Sequence, residues 1–262
     1  MPVFRQKHPK QLTNGDCVGI LDADWLVPYI PGDMTNASTF DFPVLYRMMT
    51  EVDLYLVVDA DSSQLDPIVN AVKDLESAGV RCVSGDCGFF IHYLEAAANA
   101  VNIPVILSSL QQLPVIEVML GENRSIGFIC ASRNFVCSAR SADDQDPDRE
   151  QERDDSVYAK AGWTGRREIV LQDLTECPEF TGKLATASSS IDADKVTAEL
   201  VSVCCRMQEK NPSLGAFLFE CSMLPPYSHA VQAATGLPVF DYVTMIRLFQ
   251  RATHRRPFSG YF

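Results

Sequence analysis

The sequence predicts an α/β protein built on parallel sheets with crossover helices. Short β-branched runs alternate with longer segments of helical period, and the strand candidates fall into two groups of four. The strands are expected at 17–21, 54–58, 80–83, 104–107, 126–130, 168–171, 214–219 and 238–240. Helices are expected at 65–78, 89–101, 114–120, 191–209, 226–234 and 242–251. In the first of these, Ile68, Val72, Leu75 and Ala78 recur at the spacing of one helix face. Thr39 stands before an apolar run and is expected to cap a helix there.

With 262 residues, 47% hydrophobic and 21% charged, the chain is long enough for one large or two small domains with real cores. Its net charge of −12 argues against nucleic acid or an anionic membrane as partner, since both need a basic face. The basic residues Arg247, Arg251, His254, Arg255 and Arg256 read as charge complement to a helix C-terminus. Nine cysteines without CxxC or Cys/His spacing suggest free thiols in a reducing compartment rather than zinc ligands or disulfides. Residues 1–10 are polar and basic, and no run approaches the roughly 18 apolar residues of a membrane span. Cytoplasmic localisation is the expectation.

Residues 141–155 interrupt the alternation with dense acid and no apolar anchor, as a surface insertion would. On this reading the first lobe comprises 1–113 plus 212–262, and the second 114–211 with the insertion inside it. Both cysteines of interest would then sit on the first lobe's sheet or rim.

Those cysteines are Cys87 and Cys221, each following a predicted strand and preceding a predicted helix, about half the chain apart. A thiol at a helix N-terminus meets unpaired N–H groups and a positive dipole end, which favour thiolate. Two thiols facing one pocket could take a proton from one face of a carbon and return one to the other. Each could equally be a buried structural cysteine. Gly88, Phe89, Ser222 and Met223 follow them and would turn backbone N–H groups towards a carboxylate at the carboxyl edge of the sheet. Ser108 and Ser109 follow the 104–107 strand, and Ser132 follows 126–130, either as anion donors or as N-caps. The long loop after the first strand, with Asp22, Asp24, Asp33, Asn36, Ser38 and Thr39, reads as a substrate lid. His92 and His229 lie more than a turn beyond the cysteines and read as packing residues.

Segments across nearly the whole chain resemble the aspartate/glutamate/hydantoin racemase superfamily, whose members include maleate isomerases and arylmalonate decarboxylases. They are Pro31-Gly32-Asp33 with Asn36, 39–44, Cys87-Gly88-Phe89, 104–110, Ile126-Gly127-Phe128, 220–227 and 235–241. The resemblance implies two pseudo-symmetric Rossmann-like (flavodoxin-like) lobes, no cofactor and no metal, with a site between lobes where Cys87 and Cys221 act as acid and base. It also implies a small carboxylate substrate held by the N–H groups after each cysteine, by Ser108 and Ser109, and by the loop carrying Asn36, Ser38 and Thr39. A homodimer is a possible assembly.

The chain departs from the amino-acid racemases of that group at Asp22-Ala23-Asp24 and at Glu220-Cys221-Ser222. The expected activity is therefore cofactor-independent racemisation or epimerisation at an acidic carbon next to a carboxylate or carbonyl. Three alternatives stay open: a same-fold decarboxylase or lyase, a cis/trans isomerase using one cysteine, and a non-catalytic small-anion-binding protein.

Overall fold

The computed structural model describes residues 18–131, 157–185, 188–255, 257–258 and 260. The acidic run 141–155 and Ser132 lie outside the described residues.

Among the described residues, eight strands form two all-parallel four-stranded sheets. The first is ordered β2-β1-β3-β4, from β1 (Val18–Ala23), β2 (Val44–Met49), β3 (Cys82–Gly85) and β4 (Val105–Ile106). The second is ordered β6-β5-β7-β8, from β5 (Ser125–Cys130), β6 (Ile169–Asp173), β7 (Leu214–Phe219) and β8 (Val239–Phe240). The two orders are the same permutation, so the chain folds one pattern twice and the expected pair of pseudo-symmetric α/β lobes is present.

The helices flank these sheets. They are α1 (Leu54–Val58), α2 (Leu65–Ala78), α3 (Leu94–Asn99), α4 (Leu113–Met119), α5 (Pro178–Ala185), α6 (Ala193–Lys210), α7 (Ser228–Thr235) and α8 (Tyr242–Thr253). Helix α2 buries Ile68, Val72, Leu75 and Ala78, the face its spacing predicts. It ends on Gly79 at φ 101°, a left-handed C-cap that glycine adopts without Cβ strain. Among the described residues, no helix is long and apolar enough to cross a membrane.

Three expectations about elements are corrected. Leu54–Val58 is a helix, not a strand, because Asp53 caps it by accepting the Tyr55 N–H at 2.9 Å. The edge strand is instead Val44–Met49, paired in register with β1 from Val18↔Val44 onward, so Thr39 caps no helix. The predicted 89–101 helix is a 3-10 segment, Gly88–Tyr93, running into the shorter α3.

The lobe boundary is also different. Strand β7 pairs with β5 and β8 with β7, so 214–240 completes the second sheet and Cys221 belongs to the second lobe. Only α8 crosses back. Its Tyr242, Met245 and Ile246 pack on Val18, Ile20, Cys82 and Ile106 beneath the first sheet. Arg247 there pairs with Asp41 at 3.0 Å and donates to the Thr39 carbonyl, so this basic residue serves the fold. The main core runs through both sheets, joining Leu21, Val83 and Phe90 to Ile126, Phe128 and Leu218.

Candidate active site

In an open parallel sheet, ligands bind beyond the carboxyl ends of the strands at the point where strand order reverses. In these sheets that point lies between β1 and β3, and between β5 and β7. The residues at or just past those four strand ends are Ala23, which closes β1, then Asp86-Cys87, Ala131 and Glu220-Cys221. All of them line one cavity of about 120 Å³ between the lobes. The fold repeat thus places an acid–cysteine pair at each switch point, and the cavity brings the two pairs together.

The cavity wall continues with Trp25, Val27 and Tyr29 from the loop after β1, with Leu54, Tyr55 and Val58 from α1, and with Gly88, Phe89, Ser222 and Met223. Trp25 and Tyr55 meet edge to face at 5.9 Å between ring centroids. Tyr29 donates its hydroxyl to the Trp25 carbonyl at 2.6 Å, closing a local loop that holds both rings at the mouth. The charged groups on this wall are carboxyls only. No lysine, arginine or histidine lines it among the described residues.

Of the predicted site residues, Cys87, Gly88, Phe89, Cys221, Ser222 and Met223 meet at the cavity. Asn36, Ser38, Thr39, Ser108 and Ser109 do not line it. Asn36 donates to the Tyr29 carbonyl at 2.7 Å and accepts from Ser38, while Thr39 Oγ1 donates to the Asp33 carbonyl and accepts from the Gly32 N–H. These three brace the loop that presents Trp25 and Tyr29. Ser108 N-caps the 3-10 segment Ser109–Gln112 in a capping box with Gln111, and Ser109 ties the lobes by donating to the Phe219 carbonyl at 2.8 Å. His92 stands 3.1 Å from Lys160 and His229 is 3.0 Å from the Pro226 carbonyl, both away from the cavity lining.

The electrostatics reverse the expectation of ready thiolates. Burial pushes the Cys87 thiol well above its ordinary range, the Glu220 and Asp86 charges push it further, and the Phe89 and Phe90 N–H groups pull the other way without prevailing. Cys221 is raised in the same manner by burial and then Glu220, against the Met223 N–H. The local segments explain why: Cys87 caps a 3-10 segment rather than an α-helix, and Cys221 opens a turn before another 3-10 segment, Pro225–Tyr227. Neither thiol receives the N-terminal field of a full α-helix.

The acid of each pair is anchored to the end of the neighbouring strand. Asp86 accepts the Ala23 N–H at 2.9 Å through Oδ2, while its buried Oδ1 finds no N–H or O–H donor. Asp22 faces it: burial raises both carboxyls, the Asp22 charge pushes Asp86 further up, and the hydrogen bond from Asp86 draws Asp22 back down, so the proton of the pair sits on Asp86. Asp33 nearby is raised to about 6 by burial, against its hydrogen bonds from Thr35. Glu220 occupies the corresponding place in the second lobe, with a longer side chain. Its carboxylate accepts the Ala131 N–H of its own lobe and the Gly88 N–H of the other, while burial raises it to about 7. The Gly88 N–H expected to meet substrate is thus taken by Glu220. A Cβ at position 88 would lie 2.0 Å from Glu220 Oε1, so only glycine fits this contact.

Asp86, Glu220, Trp25 and Tyr55 were not among the sequence candidates. The available signal was the repeat of an acid directly before each cysteine. The aromatic wall gave none, because loop length separates its members in sequence.

The chain has the fold of solved arylmalonate decarboxylase, aspartate racemase and glutamate racemase structures. Solved structures with this fold include a glycine-to-cysteine mutant of arylmalonate decarboxylase in its sulfate-associated form, with TM-score 0.59 and 19% identity over 94% of this chain and 98% of that one. The aspartate racemase of Picrophilus torridus matches with TM-score 0.57 and 12% identity over 92% of this chain and 96% of that one. In sequence, the chain is similar to a dimethylsulfoniopropionate lyase of Durusdinium sp. clade D. They are 28% identical over 250 residues, covering 93% of this chain and 77% of the relative. Dimethylsulfoniopropionate lyase 7 of Emiliania huxleyi (strain CCMP1516) is 26% identical, covering 93% and 69%. No protein-family model matches the chain.

Proposed function

We propose that this chain is a cofactor-independent carbon–sulfur lyase acting on a small β-sulfonio carboxylate such as dimethylsulfoniopropionate. The observation that carries the reading is the charge inventory of the cavity, carboxyls and aromatic rings with no basic side chain among the described residues. A dicarboxylate substrate would meet repulsion there. An onium group gains from both features, by Coulomb attraction to Glu220 and to the one negative charge left on the Asp22–Asp86 pair, and by cation–π contact with Trp25, Tyr29, Tyr55 or Phe89, worth about 0.5–2 kcal/mol per ring. Likeness to named dimethylsulfoniopropionate lyases over 93% of the chain supports the same substrate class.

The chemistry asked of the site is a β-elimination. One cysteine, as thiolate, removes a proton from the carbon next to the carboxylate. The C–H electron pair becomes the carbon–carbon double bond, the carbon–sulfur bond breaks with its pair going to sulfur, and neutral dimethyl sulfide and acrylate result. The protonated thiol then returns its proton to solvent. Ser222, whose hydroxyl lines the cavity, is the donor suited to the substrate carboxylate. The raised thiols fit this sequence: the arriving cation supplies the positive charge that the protein wall lacks, so thiolate forms when substrate is bound.

The second reading is two-base racemisation, favoured by the fact that both thiols line the same cavity. Incubation with dimethylsulfoniopropionate, with headspace detection of dimethyl sulfide and proton NMR of acrylate, separates the two. Sulfide release abolished by Cys87→Ser or Cys221→Ser, and absent from the buffer blank, is the expected result. No sulfide, together with deuterium wash-in at the α-carbon of a chiral acid in D₂O, would sink the lyase reading in favour of racemisation.

A further inference from the structure

Glu220 is an acid to which the reaction as proposed gives no part in moving the proton. It lies next to Cys221 in the chain and at the cavity wall, and its carboxylate sits where the N–H groups of Gly88 and Ala131 converge from opposite lobes. Two converging backbone N–H groups at a cleft form a cradle for a free anion. Here a side chain of the protein fills it. The fit is close: the Glu220 carboxyl carbon and Cγ stand 2.6 and 2.7 Å from the position of a Cβ on Gly88, so the carboxyl lies directly against the Gly88 backbone.

We infer that Glu220 is a specificity-determining residue, a resident carboxylate that occupies the inter-lobe anion cradle of Gly88 and Ala131 and so restricts the site to substrates bearing a single carboxylate. The inference rests on the proposed lyase reading only in taking the natural substrate to be a monocarboxylate. Two effects act together against a second carboxylate, the loss of its donors and repulsion by the resident charge. Shortening the side chain vacates the cradle and removes the charge. Exchanging it for the isosteric amide keeps the space filled, with an oxygen still able to accept an N–H.

The test is binding of non-reacting anions, measured by calorimetry at pH 8 on the full chain, wild type against Glu220→Ala and Glu220→Gln. The probes are propionate, succinate and glutarate. Glu220→Ala is expected to tighten one of the two dicarboxylates at least tenfold while propionate changes less than threefold, and Glu220→Gln is expected to show no such gain. If neither dicarboxylate gains in Glu220→Ala, the inference is overturned. The wild type supplies a measurement that needs no variant: in amide NMR, the Gly88 and Ala131 resonances should stay in place at succinate concentrations that shift other cavity residues. Movement of those two amides on adding succinate would overturn it as well. Failure of the lyase reading shows instead as absent sulfide release, with dicarboxylate selectivity unaltered.

Discussion

Replacing Gly88 by alanine places a methyl group 2.0 Å from Glu220 Oε1 and 2.6 Å from its carboxyl carbon, where relaxed contacts lie at about 3.5–4.0 Å. The backbone at 88 is not in the left-handed region, so the cost arises from this contact and not from strain in φ. To clear the methyl, the buried carboxylate must withdraw by roughly 1 Å or more, which breaks the Gly88 hydrogen bond and disturbs the one from Ala131. A hydrogen bond to a charged group contributes about 1.5–3 kcal/mol, and overpacking adds about 1–3 kcal/mol. Gly88→Ala is therefore expected to destabilise by about 3–5 kcal/mol. At roughly 2–4 °C per kcal/mol for a chain of this size, that is a fall in Tm on the order of 10 °C. Urea and thermal melts at pH 8 measure it, and a cycle with Glu220→Ala assigns it. With the carboxylate gone the methyl has space, so the two substitutions should couple by at least about 2 kcal/mol. A Gly88→Ala protein within about 1 kcal/mol of wild type, or a coupling near zero, would show that Glu220 does not press on Gly88.

Other outcomes follow from the same geometry. Folding raises Glu220 from an ordinary 4.5 to about 7, so the folded chain holds a proton that the unfolded chain releases. Its stability contribution is present below pH 4.5 and lost as pH rises through 7, about 3 kcal/mol in all, with Asp33 adding the same sign between 3.8 and about 6. The urea midpoint should therefore fall from pH 5 to pH 8, less steeply in Glu220→Gln, and a rise over that window contradicts the assignment. Thiolate ultraviolet absorbance from Cys87 and Cys221 should be absent at pH 8 and should emerge at lower pH once β-trimethylammonio-propionate is bound, with the Cys→Ser variants identifying the source; an unmoved titration argues against substrate-charge activation. Trp25→Ala should weaken that onium ligand by about 2–30-fold, from a cation–π contact of about 0.5–2 kcal/mol, and its uncharged tert-butyl isostere by clearly less. Equal losses for both would mean that the ring contributes contact area alone.

Elements that state their own boundaries were legible in the sequence. Strand β7 was placed residue for residue, because Leu214–Phe219 is a continuous apolar run, and α2 because its stripe ends on a glycine. Leu54–Val58 misled because a five-residue apolar run reads alike as buried strand or helix until the Asp53 cap is weighed, while the true edge strand Val44–Met49 is only partly buried. The lobe boundary failed because sequence order says nothing about which sheet a returning strand joins. Both cysteines were legible as strand-end residues, whereas Asn36, Thr39, Ser108 and Ser109 were drawn into the site by position alone. Their hydrogen bonds instead fasten the loop and the lobe interface. The sign of the thiol shift depends on burial and on the Glu220 charge, which exist only once the lobes close over them.

The repeat of acid and cysteine at two switch points carries a consequence for which chemistry the site favours. Racemisation of an anionic acid asks such a site to hold a thiolate, a substrate carboxylate and a developing enolate at once, beside Glu220 and the charge left on the Asp22–Asp86 pair, with no basic side chain on the wall among the described residues. Every one of those charges has the same sign, and at close range in a partly desolvated site each pair costs on the order of a few kcal/mol. Elimination from a sulfonium divides the problem differently. The cation offsets the wall on arrival and so favours the thiolate, and its departure as neutral sulfide carries away the electron pair that would otherwise accumulate next to the carboxylate. Once the sulfide has formed, the cavity is again lined by acids alone, and the thiol that took the proton keeps it until solvent enters. On the proposed lyase reading, the same wall that raises both thiols at rest ties proton abstraction to the presence of a substrate that brings its own positive charge.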